Sequence, residues 1–240
     1  MNCATATPPA SGERHVRAPG QVYRIALLNP NTSTVSTDLM LASARSVLPA
    51  GASIEGRNVR TGRAFISDPA ALDEAAQAVQ ACADDLVAEG FDAIIIAGFG
   101  DPGLGALRQR LTLPVTGLGE AGIAEAAHDG LPYAIVTVTP ELHDSLLAAA
   151  HAAAPPDQLV AIRYTRGSLA SVMQDADSLE GALLRACQDA ITTDGARSIV
   201  IGGGPLAQAA REIATRLHVR VVDPVRAAVS LACRRGGVGP

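Results

Sequence analysis

The sequence predicts an α/β protein made of two pseudo-symmetric lobes, each a parallel sheet flanked by helices, with a ligand cleft between the lobes. Three observations predict it. Apolar runs such as Ala93-Ile94-Ile95-Ile96 and Ile199-Val200-Ile201 break into glycines, as buried parallel strands do where they end in tight loops. Ala-rich helical stretches alternate with those runs, and alternating strands and helices imply parallel strands covered on both faces. The third observation is internal repetition. Residues 81–100, ACADDLVAEGFDAIIIAGFG, overlay residues 186–205, ACQDAITTDGARSIVIGGGP, without a gap.

The overlay sets Cys82 on Cys187, Asp84 on Asp189, Gly90 on Gly195 and Gly98 on Gly203, each 105 positions apart. Val115-Thr116-Gly117 matches Val221-Val222-Asp223 at an offset of 106, and Ile25 to Leu28 matches Tyr133 to Val136. Three matches in one order make a duplicated unit. Each unit reads strand, helix, strand, helix, strand, helix. The 240 residues then divide into a disordered tail over 1–21, a first lobe from 22–116 with 222–240, and a second lobe from 117–221.

Along the chain, Ile25 to Leu28 ends in Asn29-Pro30-Asn31-Thr32-Ser33, a polar turn with proline. Cys82 then shares a helical stripe with Val79 and Leu86, and Cys187 shares one with Leu184 and Ile191; both read as small buried hydrophobes. Strand 93–96 opens into Gly98-Phe99-Gly100-Asp101-Pro102-Gly103-Leu104, where Pro102 suits the first turn of a helix because its missing N–H is not needed there. Asp101 reads there as the cap of that following helix. In the second half, Thr137 to Pro140, Gly202 to Gly204 and Asp223-Pro224 occupy the matching strand ends.

Composition narrows the function class. A net charge of −5 leaves no basic face for nucleic acid. No apolar run approaches the roughly 18 residues that span a membrane. The four cysteines show no metal-ligand spacing and no secretory context, so reduced thiols, no metal and a cytoplasmic location are expected. The partner is then a small molecule, and a homo-oligomer is compatible with the sequence. In open parallel sheets, ligands sit beyond the carboxyl ends of the strands. Six loops are expected to converge there, rich in Asn, Thr, Ser and Gly and free of positive charge. Exposed backbone N–H groups at such turns suit carboxylates or amide carbonyls.

These residues resemble the Asp/Glu/hydantoin racemase superfamily, most closely its hydantoin racemase branch, from Arg24 to Leu231. The markers are Asn29-Pro30-Asn31-Thr32-Ser33, Gly98 to Leu104, Gly119-Glu120-Ala121, Val136-Thr137, Ile199 to Gly202 and Val222-Asp223. The resemblance implies two flavodoxin-like lobes and cofactor-free proton transfer at a carbon beside a carbonyl. Racemases of that family use one cysteine from each lobe on opposite faces of the carbon, and single-cysteine relatives decarboxylate malonates. Here those two positions carry Gly98 and Gly203, and the nearest cysteines lie sixteen residues earlier, at Cys82 and Cys187. Two-thiol racemisation is therefore not expected.

His143 and Asp101 are the candidate catalytic residues, His143 because an imidazole titrates near neutrality. The resemblance implies that the stretch holding Tyr164, with Arg163 and Arg166, is one where a family loop can reach the cleft. Substrate binding is expected from Asn31, Thr32, Gly98, Phe99, Gly100, Glu120, Thr137, Thr139, Gly203 and Gly204. The leading reading is a diverged, cofactor-independent enzyme acting on a small carbonyl, carboxylate or cyclic amide compound through an enolate-like state. It would be an isomerase, lyase or cyclase. Two alternatives stand beside it: a non-catalytic small-molecule binding protein on the same scaffold, and a racemase working with other bases.

Overall fold

The computed structural model describes residues 21–239. The proposed tail over 1–21 and Cys3 therefore fall almost wholly outside the described residues. The first half runs β1 (Tyr23–Asn29), α1 (Thr34–Arg45), β2 (Ala52–Asn58), α2 (Pro69–Ala88), β3 (Ala93–Ile96), α3 (Leu104–Arg110) and β4 (Val115–Gly117). Helix α4 (Leu118–Ala126) leads into β5 (Tyr133–Thr137), α5 (His143–Ala153), β6 (Leu159–Tyr164), α6 (Leu169–Val172) and α7 (Ala176–Thr192). The chain closes with β7 (Ser198–Ile201), α8 (Ala207–Ala214), β8 (Arg220–Val222) and α9 (Pro224–Arg235).

The described residues form two four-stranded sheets, ordered β2-β1-β3-β4 and β6-β5-β7-β8, and every pairing is parallel. Two lobes of like topology are thus present, as expected. Each sheet has one strand more than the expected three. The additions, β2 and β6, are edge strands; β2 carries Glu55 and Arg57 on a half-buried surface, so its sequence lacks the apolar run that betrays a central strand.

Period-two alternation decides what each strand face covers. In β1, Ile25 and Leu27 face a core shared with Tyr133 and Ile135 of the second sheet, while Ala26 and Leu28 face an outer core with Val79, Cys82 and Leu86 of α2. In β5 and β7, Val136 and Ile201 turn outward onto Leu183 and Cys187 of α7. Helix α4 packs against α5 and α9 and touches β7 and β8, so it belongs to the layer between the lobes. Caps hold the long outer helices: Asp68 accepts from Ala71 N and Asp175 from Ser178 N. Among the described residues, no helix is long and apolar enough to cross a membrane.

Candidate active site

The carboxyl ends of β1, β3, β5 and β7 meet across a cleft. Its polar floor comes from Asn31, from Gly98 to Gly100, from Thr137 and Thr139, and from Gly202 to Gly204. Its walls are Phe65, Ile66, Leu72, Val138, Leu142, Leu146 and Leu206. The space amounts to about 630 Å³, part of it open to solvent. Four of the six expected loops reach it. The turns after β4 and β8, Gly117 to Glu120 and Asp223-Pro224, do not line it; both strands lie at sheet edges.

The cleft presents neutral donors from both lobes. Asn29 Nδ2 donates to Asn31 Oδ1 at 2.9 Å, and the Ser33 N–H donates to the same oxygen. That leaves Asn31 Nδ2 with no partner among the described residues, and the same holds for Thr139 Oγ1. Also without an acceptor there are the N–H groups of Phe99, Gly100, Gly203 and Gly204. The Thr137 hydroxyl is committed, donating to Gly202 O at 2.8 Å, which ties β5 to the second glycine loop. Among the described residues, no ionisable side chain belongs to the lining.

The two glycine positions are shaped against side chains in different ways. A Cβ added to Gly98 would come within 2.6 Å of Pro30 Cγ. Gly203 has φ +138°, a conformation that L side chains rarely adopt. The lobes also lean on glycines to approach each other: the Phe99 ring lies against Gly202, and Met40 Sδ lies against Gly204. Cys82, Cys187 and Cys233 are buried in α2, α7 and α9 rather than in the lining, and burial pushes the Cys187 thiol up to about 12.

The remaining expected residues sit outside the lining. His143 opens α5 on the surface, its Nδ1 2.8 Å from the Tyr164 hydroxyl. Arg163 is paired with Asp194 and Arg166 with Asp189. Thr32 donates its N–H to Arg63 O at 3.1 Å. Glu120 is held between Arg108 and Arg235. Burial opposes its ionisation, but those two guanidinium groups keep its carboxyl below the ordinary value.

Asp101 is a cap, but of a different helix from the one expected. Helix α3 begins on Gly103 with no side-chain cap. Asp101, at φ +48°, instead reaches across to the later helix α4, accepting from Gly119 N at 2.8 Å and Glu120 N at 2.7 Å. Its carboxyl fills the space a side chain at Gly117 would take. The residue is only partly buried by surface area, yet enclosure of its carboxyl, aided by the Glu120 charge, pushes it up to about 7 against the two N–H groups and Arg108.

Phe65 and Ile66 were not found by sequence reasoning. The available signal was an apolar pair inside the polar stretch Thr61-Gly62-Arg63-Ala64-Phe65-Ile66-Ser67-Asp68.

The Asp/Glu/hydantoin racemase family model matches residues 25–232. A hydantoin racemase from Paenarthrobacter aurescens is 31% identical over 212 residues, covering 87% of this chain and 89% of that protein. The structure of an allantoin racemase from Klebsiella pneumoniae superposes with a TM-score of 0.82 at 29% identity, over 90% of this chain and 89% of that one. Arylmalonate decarboxylase shares the fold at a TM-score of 0.65 and 19% identity, over 90% of this chain and 94% of that one.

Proposed function

The chain belongs to the Asp/Glu/hydantoin racemase family, and on that premise we propose that it is a cofactor-independent enzyme acting on a small cyclic amide or carboxylate through an enolate-like state. Isomerase, lyase or cyclase chemistry fits the cleft better than exchange between two thiols. One observation carries this reading: residues with neutral hydrogen-bond donors, from both lobes, line an apolar cavity in which the described residues place no thiol. Amide N–H groups stabilise negative charge as it develops on a carbonyl oxygen, and one such donor is worth about 3 to 4 kcal/mol in a transition state. Phe99, Gly100 and Gly204 supply such groups. Asn31 and Thr139 orient the rest of the substrate, and Phe65, Ile66 and the leucines pack against its apolar part.

A lining without a base favours bond cleavage that needs none. In a decarboxylation the C–C bond to the carboxylate breaks and carbon dioxide leaves. The bonding electrons pass into the neighbouring carbonyl as an enolate, which then takes a proton from water. The test is a panel of substituted hydantoins, allantoin and substituted malonates, followed by deuterium uptake from D2O, carbon dioxide release and ring rearrangement. Turnover of at least one class is expected; inertness toward all of them overturns the proposal.

The same lack of an ionisable lining group favours a second reading, a binding protein that keeps the pocket without the chemistry. It predicts that a hydantoin or malonate raises the melting temperature while no product forms.

A further inference from the structure

We propose that a second cavity, in the seam between the lobes, binds a small monocarboxylate through the guanidinium groups of Arg211 and Arg226. The space amounts to about 710 Å³, part of it open to solvent, and none of its described lining residues lines the cleft. Its walls are α8 with β8 of the second sheet, and α9, which packs on β3 and β4 of the first. Val47, Ala210, Val221 and Ala227 give it an apolar floor. Nothing in this site depends on the chemistry proposed for the cleft.

Charge and unfilled donors identify the ligand. Arg211, Arg220 and Arg226 line the cavity against Glu125 and Asp223, which leaves a single positive charge in excess. Both acids are already engaged. Glu125 pairs with Arg220. Asp223 is buried; it accepts from Val225 N at 2.9 Å and Arg226 N at 3.4 Å, and takes the Ser43 hydroxyl. Arg211 stands 3.9 Å from the same carboxylate, within reach of its charge but too far for a hydrogen bond. Its guanidinium therefore keeps its donors, and that of Arg226 has no acid partner among the described residues. Ser230 lies one turn after Arg226 on the same face of α9, and its hydroxyl also has no partner there. A guanidinium fork offers paired N–H groups to carboxylate oxygens, and the apolar floor accepts a short carbon chain. One excess positive charge beside two fixed carboxylates disfavours a dianion such as phosphate.

The test titrates the full chain with sodium butyrate near neutral pH, exchanging it for chloride at constant ionic strength, and follows backbone amides by NMR. Saturable shifts are expected over residues 210–214 and 226–230, with a dissociation constant of about 1 to 10 mM. Arg226→Gln, at an exposed position, should weaken that binding about tenfold, and Arg211→Gln should do the same. Shifts over 98–100 and 202–204, where butyrate produces any, should be unaltered by either variant. Inorganic phosphate should bind the seam more weakly than butyrate. An Arg226→Gln variant that binds as tightly as the parent, or phosphate binding more tightly than butyrate, overturns the proposal. Shifts confined to the cleft loops, or none that saturate well above the expected range, overturn it as well. The titration needs no turnover, so a failed search for chemistry in the cleft leaves this result distinct.

Discussion

In the first lobe the helix after the fourth strand starts at Gly117 and borrows its cap from Asp101, eighteen residues upstream of Gly119; in the second, the matching helix starts at Asp223 and caps itself. Asp223 accepts from Val225 N at 2.9 Å and takes the Ser43 hydroxyl as well. The repeat offsets set Gly117 against Asp223 and Asp101 against Leu206, which is fully buried. One carboxylate per lobe does the same work from opposite sides of the same space. The two halves share a strand order but place the capping carboxylate differently, on the loop in the first and at the strand end in the second. The first glycine loop is consequently held by the hydrogen bonds of the Asp101 carboxyl, and the second by packing of Leu206 and Met40 and by the Thr137 hydroxyl.

Breaking the contrast should cost most at Gly119. Alanine usually favours a helix over glycine by roughly 1 kcal/mol. Here the added methyl collides with Phe99 O, and we expect Gly119→Ala to destabilise by about 3 kcal/mol in denaturant unfolding. Next comes pH. Because the folded chain raises the Asp101 carboxyl from 3.8 to about 7, it holds that proton where the unfolded chain has lost it. The contribution to stability is full below about 4 and is lost as pH rises to 7, on the order of 2 kcal/mol after screening of the exposed part. Asp101→Asn should flatten that slope in melts recorded from pH 4 to 8. The self-capped helix should respond differently, with Asp223→Ala costing about 1 to 2 kcal/mol in the same assay.

Smaller effects sharpen the comparison of the loops. Gly203→Ala forces a side chain onto φ +138°, whereas Gly98→Ala presses only on the Pro30 ring. Gly203→Ala should be the more destabilising by about 1 kcal/mol. His143→Ala should change least, within about 0.5 kcal/mol in stability and about twofold in hydantoin affinity, since His143 is exposed and touches Tyr164 rather than the cleft. A tenfold loss there would return the imidazole to the site.

Central strands and glycine loops were legible because buried parallel strands are apolar on both faces and glycine marks their ends. Edge strands β2 and β6 were not, since half-buried surfaces tolerate Glu55, Arg57 and Arg163. Asp101 was legible as a cap but not as the cap of α4, because its partner amides lie eighteen and nineteen residues away and only the positive φ aims the side chain at them. Strand order is invisible in a linear reading; it places β4 and β8 at sheet edges, and the turns after them do not line the cleft. The apolar pair Phe65-Ile66 looks like ordinary loop until tertiary contact makes it a wall.

The most direct measurement is turnover of the best substrate in the panel by a variant with Cys3, Cys82, Cys187 and Cys233 all replaced by alanine. Chemistry carried by backbone donors in a thiol-free cleft predicts a rate within about threefold of the parent, against a loss of well over a hundredfold for a general acid–base catalyst removed. A rate below a tenth of the parent's, in a variant that remains folded, would contradict the account.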